Sequence, residues 1–180
     1  MRSKLSPLKS GLTPTYDLKV KPKAGASRSS FLFSPMSDFS FEIVEADTAA
    51  LIAQCHPVML ELRPHHGAVE RFVELVLRLR SGGYRLACLI HEGVVRSVTC
   101  FEEKENLSWG RHLYVHELVT RAVDHGHGYG SALFDWLVAE ARRLKCQQFH
   151  LDSGVQRFDA HRFYLHKGMN IVAHHFALNL

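Results

Sequence analysis

Glycines at 126, 128 and 130, in the run His125-Gly-His-Gly-Tyr-Gly130, stand between an alternating apolar stretch and an amphipathic one. Glycine lets a backbone approach a ligand closely and adopt conformations that other residues resist. A helix that starts after such a turn aims its free N–H groups, and the positive end of its dipole, into the turn. Strand, glycine turn and helix start together make a site for a phosphate group. A magnesium-nucleotide loop would close with Gly-Lys-Ser or Gly-Lys-Thr, whereas Gly130 is followed by Ser131 and Ala132. A dinucleotide fold wants an acid about 20 residues further on. Glu140 falls inside the helix and Asp152 at the end of the next strand, so neither serves.

The elements that position this turn follow from periodicity. Residues 41–46 alternate as a strand, and 48–62 and 68–80 have helical spacing, with Phe72, Leu75 and Leu79 on one face of the second helix. Residues 84–91 and 94–102 read as strands joined by Glu92-Gly93, an acid-glycine hairpin signal. A turn at 106–110 leads into a strand over 111–120, then the glycine turn and the amphipathic helix. A short strand at 149–153 and a helix from 158 to 169, stopped by Gly168 as a C-cap glycine, come next. A last strand is expected over 169–178.

The chain here resembles the GNAT superfamily of acyl-CoA-dependent N-acyltransferases. That family's pyrophosphate loop, Arg/Gln-x-x-Gly-x-Gly/Ala, is similar to His125-Gly-His-Gly-Tyr-Gly130. Its second signature looks like Asp159-Ala160, Phe163-Tyr164 and Lys167-Gly168-Met169. The resemblance covers residues 41–178 and implies an α/β fold: a central mixed sheet with helices on both faces. It also implies a V-shaped splay between the strands at 111–120 and 149–153, where acyl-CoA would lie.

The resemblance further implies acetyl-CoA as co-substrate and a primary amine of a small molecule or peptide as acceptor, with direct transfer in a ternary complex. The end of the strand, Leu118, Val119 and Thr120, would lie beside the co-substrate, with a backbone N–H near Val119 facing the developing oxyanion. Pyrophosphate would be met by the N–H groups of His125, Gly126, His127, Gly128, Tyr129 and Gly130, with the Ser131 hydroxyl in addition. His125 replaces the usual Arg or Gln; it donates hydrogen bonds but carries less charge at neutral pH, which implies weaker binding. Asp159 replaces the usual Asn near the pantetheine arm, and its residue type suits a helix N-cap.

A protonated amine has no lone pair, so a base must take its proton. Glu117 stands in the run Leu113, Val115, Glu117, Val119, whose other members are apolar. A carboxylate on an apolar face is costly unless paired or used, and desolvation raises its pKa toward that of a useful base. The competing reading is a β-bulge that turns Glu117 to solvent or into a salt bridge. Tyr164 is the general acid that the resemblance implies for the leaving thiolate. A phenol stays protonated at neutral pH and donates one hydrogen bond; otherwise its ring is core packing. The alternative to an enzyme is a non-catalytic module of the same fold that binds acyl-CoA or a protein.

Composition bounds these readings. The chain has 180 residues, 46% of them hydrophobic, enough for one domain core. No apolar run reaches membrane-span length, so no membrane partner is expected. Cysteines 55, 88, 100 and 146 have neither zinc-site spacing nor disulfide-scaffold density, which points to reduced thiols and a cytoplasmic setting. The 13 histidines form no ligand pattern such as His-Glu-x-x-His, so no metal is expected. His112, His116 and His174 are candidates to line the acceptor cleft or to relay the amine proton, their individual roles left open.

The basic balance lies in residues 1–35. They hold Arg2, Lys4, Lys9, Lys19, Lys21, Lys23 and Arg28 against a single acid, Asp17. This Ser-, Pro- and Lys-rich stretch reads as a disordered extension ahead of a domain over 36–180 that opens at Met36. It lacks the Arg clusters and interleaved aromatics of a nucleic-acid arm, and Lys outnumbers Arg where a transit peptide would favour Arg. The acceptor is not legible: residues 57–67 and 102–111 carry charges of both signs. The resemblance allows a homodimer paired through the last strand.

Overall fold

The computed structural model describes residues 31–33 and 40–180. The proposed start of the domain at Met36 and the extension over residues 1–30 lie outside these. Within the stretch read as disordered, β1 (Phe31–Phe33) forms a short strand antiparallel to β2 (Phe41–Glu45). β3 (Arg85–His91) and β4 (Val94–Asn106) join through Glu92 and Gly93, whose φ values of 53° and 72° make the turn that twists with its strands. β4 runs on past the expected end at 102. The Asn106 side chain then turns the chain by accepting from the N–H groups of Ser108 at 3.0 Å and Trp109 at 2.8 Å. β5 (Gly110–Thr120) completes the antiparallel part. β6 (Gln148–Leu151) lies parallel to β5, which requires a crossover, and α3 (Tyr129–Arg143) supplies it.

The strands follow in the order β1-β2-β3-β4-β5-β6, with helices on both faces. α1 (Ala49–Leu62) starts at Thr48, whose hydroxyl accepts from the N–H of Leu51 at 3.3 Å. With α2 (Val69–Arg80) it packs Ile52, Met59, Phe72 and Val76 against Leu86, Cys88 and Val98 of the sheet. α3 covers the other face, placing Leu133, Trp136 and Leu137 on Phe101, Leu113 and Val115. α4 (Phe158–His166) docks on α3 through the Phe134–Phe163 edge-to-face pair and through Lys167, whose ammonium lies 2.7 and 2.8 Å from the two Asp135 oxygens.

Two features of β5 create the splay. Its pairing with β6 runs only from His112↔Gln148 to Val115↔Leu151, while β5 continues to Thr120. Its pairing with β4 skips a residue there: Cys100 faces Glu117 and Phe101 faces Val115, leaving His116 as the extra residue of a bulge. A bulge bends and twists its strand, so β5 turns away from β6 at the point where the two part.

The last strand expected over 169–178 does not form. Residues 169–180 have no strand assignment, and Ile171, Val172, Phe176 and Leu178 are exposed. A strand needs a neighbour to exchange backbone hydrogen bonds with, and this segment pairs with no described strand. The helix before it does end as its sequence implies: Gly168 has φ 83°, and the N–H of Met169 donates to the carbonyl of Tyr164 at 3.0 Å.

Candidate active site

A cavity of about 130 Å³ opens where β5 and β6 separate. Val115, His116, Glu117 and Leu118 line it from β5, Asp152 and Ser153 from the end of β6, and Tyr164 from α4. Glu117 and Tyr164, 47 positions apart in sequence, thus share one chamber.

The bulge at His116 places Glu117 in a salt bridge. The Nε–H of Arg63 donates to Glu117 Oε1 at 3.0 Å, and Nη2 lies 2.9 Å from Oε2. The Glu117 side chain is only 15% exposed and that of Arg63 is 42% exposed. Arg63 follows the last turn of α1, and no local pattern in the sequence announces it as a partner of a residue on β5. His116, which also lines the cavity, donates its Nε2–H to Glu102 at 2.6 Å. Glu102 itself is opposed by partial burial, but Lys104 and His116 outweigh that and hold its carboxyl below the usual range.

Tyr164 is half-buried, with ring centroids 5.4 Å from Phe163 and 6.3 Å from Phe134. Burial pushes its phenol pKa up, only partly countered by the charge of Arg157. The group therefore keeps its proton throughout the neutral range. Behind the site, burial lifts the Cys100 thiol to about 12, so it remains a thiol and is no nucleophile near neutral pH.

The glycine turn is built for close approach. Gly126 and Gly128 both have φ 84°, and no atom lies within 4 Å of where a Cβ would stand on either. Gly130 serves a different purpose: a Cβ there would lie 2.9 Å from Thr120 Oγ1, so glycine is what lets α3 begin against the end of β5. The first-turn N–H groups at Tyr129, Gly130 and Ser131 have no acceptor within the helix. The turn is fixed from outside, since Asp124 is held by Arg96 at 3.2 Å and by Arg121 at 3.3 Å. In addition, Glu61 of α1 accepts from the N–H of Ala122 at 2.6 Å. This open, glycine-lined cradle at a helix start fits a pyrophosphate group.

The remaining site residues divide. His125 is exposed beside the turn with its Nε2–H donating to the Thr120 carbonyl at 3.0 Å, and His127 donates to the Asp124 carbonyl at 3.2 Å. The Tyr129 side chain is buried in the core, where its hydroxyl bonds His91 Nδ1 at 2.7 Å, so only its backbone faces the turn. Leu118 lines the cavity, Val119 is buried with its carbonyl accepting from Ser97, and Thr120 shares a hydrogen bond with Ser97. Asp159 lies outside the cavity; its carboxylate is 97% exposed and pairs with Arg162. Nor does it cap α4, whose N-cap position is Arg157: Asp159 stands two residues too late. His112 is buried away from the site, donating to the Gly110 carbonyl at 2.9 Å, and His174 is exposed. Among the described residues no three His, Cys, Asp or Glu side chains converge as metal ligands, and no helix is long and apolar enough to cross a membrane.

Known proteins share this fold. An uncharacterized N-acetyltransferase of Bacillus subtilis, YhdJ, is 32% identical over 115 residues, spanning 64% of this chain and 81% of that protein. The fold of a transcriptional regulator from Bacillus halodurans superposes with a TM-score of 0.69 at 20% identity, covering 77% of this chain and 98% of the other. The aminoglycoside N-acetyltransferase AAC(6')-Iy, solved in complex with CoA, superposes with a TM-score of 0.68 at 8% identity, over 82% of this chain and 99% of that one. The sequence profile of the acetyltransferase (GNAT) family matches residues 49–169, which includes the splay, the glycine turn and α4. The chain belongs to the acetyltransferase (GNAT) family.

Proposed function

We propose that this protein is an N-acetyltransferase that moves an acetyl group from acetyl-CoA directly to a primary amine. The observation that carries the reading is the joint placement of Glu117 and Tyr164 in one cavity, at the point where β5 leaves β6. The glycine turn at 126–130 and the free N–H groups that start α3 would hold the pyrophosphate. The edge of β5 beyond Val115, freed of β6, offers backbone groups near Val119 to the thioester carbonyl.

Glu117 takes a proton from the ammonium, and the amine nitrogen attacks the thioester carbon. The C–N bond forms as charge develops on the carbonyl oxygen; the C–S bond then breaks, and Tyr164 gives its proton to the sulfur and regains one from water. The second proton of the attacking nitrogen leaves to water, so the amide forms neutral. No acetyl-cysteine step is needed, in keeping with the elevated thiol of Cys100. The other cysteines are free, and Cys55 and Cys88 are buried, which suits a reducing compartment such as the cytoplasm. The exposed apolar side chains of residues 171–178 support the expectation of a homodimer.

One observation favours the non-catalytic alternative: Arg63 is ion-paired with Glu117 and hydrogen-bonded to its Oε1. Titrating acetyl-CoA into the full chain and measuring thiol release with a panel of amines separates the two. Micromolar binding with turnover supports the enzyme. Binding without turnover for any amine class supports the non-catalytic module.

A further inference from the structure

A second cavity, of about 240 Å³, lies between α1, α2 and the sheet, walled by Met59, Phe72, Leu75, Val76, Leu79 and Tyr84. Arg63 and Glu117 line it as well as the first cavity. Their ion pair is thus the boundary that the two chambers share. We propose that the second cavity is the acceptor site and takes an α-amino acid with a large apolar or aromatic side chain. Its ammonium pairs with Glu117, its carboxylate with Arg63, and its side chain fills the cavity. The inference rests on the reading of Glu117 as the residue that receives the amine.

Charge is the first argument. Apart from the histidines His65 and His66, Arg63 and Glu117 are the only charged side chains among the described lining residues. His66 is held below the ordinary imidazole range by partial burial and by its neighbour His65, so it is neutral at neutral pH. The part of an acceptor that enters this chamber must therefore be uncharged, because a buried charge without a partner is costly. That disfavours polycationic amines.

Balance is the second. A bare amine that takes Glu117 leaves Arg63 without its carboxylate. A zwitterion exchanges one ion pair for two, at the same net charge. The guanidinium fork matches a carboxylate at two points. The exposures agree with this exchange: the carboxylate that receives the ammonium is the sheltered partner, at 15%, and the guanidinium that must swing is the freer one, at 42%.

Size is the third. A cavity of about 150 Å³ accommodates benzene, so the larger volume here holds an aryl or branched side chain.

The test is calorimetric titration of L-phenylalanine, L-alanine and phenethylamine into the full chain, with and without CoA, followed by thiol release from acetyl-CoA with each. Phenethylamine keeps the ring and the amine and lacks the carboxylate. L-Phenylalanine is expected to bind about tenfold more tightly than either of the others, a difference of about 1.4 kcal/mol. Arg63→Met should bring the ratio between L-phenylalanine and phenethylamine to near unity. Leu79→Trp, at a position already 38% exposed, should shrink the cavity and shift preference from L-phenylalanine toward L-alanine. Equal binding of phenethylamine, ratios unmoved by both variants, or no binding of L-phenylalanine overturns the proposal. If L-phenylalanine binds while acetyl-CoA does not, the acetyltransferase reading fails and the amino-acid site stands. If acetyl-CoA binds and other amines react without this preference, the inference fails alone.

Discussion

Arg63 and Glu117, 54 positions apart, meet as an ion pair: the Nε–H of Arg63 donates to Oε1 at 3.0 Å, and Nη2 stands 2.9 Å from Oε2, which has no hydrogen-bond partner among the described residues. The pair couples the end of α1 to the bulge of β5, the two elements that border both cavities. Glu117→Gln removes the base and keeps the shape. Arg63 is substantially exposed, so its release to water costs little, and the fold should survive. Turnover should fall roughly 10²- to 10⁴-fold, the usual worth of a general base, with acetyl-CoA affinity retained by calorimetry. Unchanged turnover would assign the proton to another group.

Tyr164→Phe tests the acid. The phenol is lifted above its ordinary value by burial, so it stays protonated below about pH 10. A falling alkaline limb from Tyr164 should therefore be absent from the kcat profile below that pH. The Phe variant should lose kcat and keep its KM for acetyl-CoA. Loss confined to KM would place Tyr164 in binding instead.

Gly130→Ala should loosen the cradle. The added methyl would meet Thr120 Oγ1 at 2.9 Å, and that oxygen is already bound to Ser97 at 2.9 Å. The start of α3 must shift, and acetyl-CoA should bind about tenfold more weakly, or about 1.4 kcal/mol. Gly126→Ala is a useful contrast, because it meets no atom but forces alanine to φ 84°, a backbone cost of about 1–2 kcal/mol. Its effect should appear in the melting temperature. Wild-type affinity in Gly130→Ala would show that the helix start does not touch the ligand.

Glu140 anchors the far end of α3. It is 3% exposed and binds Arg85 at 2.7 Å and Arg143 at 2.6 and 2.7 Å. Burial alone would raise its pKa, but the two guanidinium groups outweigh it and hold the carboxyl below the usual range. A lowered folded-state value means that the stabilisation is complete above the unfolded carboxyl pKa of about 4.3. It is lost as the pH falls through the folded value. Glu140→Gln should cost roughly 3 kcal/mol at pH 7, as breaking a buried pair does, and the gap to wild type should narrow toward pH 3 in urea melts. A gap that stays constant with pH would refute the electrostatic origin.

The local signals in the sequence were strong where one short segment decides its own geometry. Glu92-Gly93 makes its hairpin because both residues turn through positive φ, and Gly168 ends α4 for the same reason. Long-range matters were less legible. Whether Glu117 faced the cleft or a bulge turned it into a salt bridge could not be chosen from alternation, because one skipped residue reverses the faces of a strand. The structure has the bulge, the ion pair and the cavity position together. Tyr129 read as part of the turn, yet its side chain reaches His91 in the core. Asp159 has the residue type of a cap but falls two positions past the cap site. The last stretch had the composition of a strand but pairs with no described strand.

The sequence by itself determined the order of elements from 41 to 168, the glycine turn and the helix that opens from it. Each of these depends on contacts within a few residues and on backbone freedom that residue type controls directly. Tertiary structure alone decided that Arg63 meets Glu117, that β5 leaves β6 at Val115, and that two cavities share one ion pair. Those relationships arise from packing between segments far apart in the chain, where no periodicity or spacing records the partner.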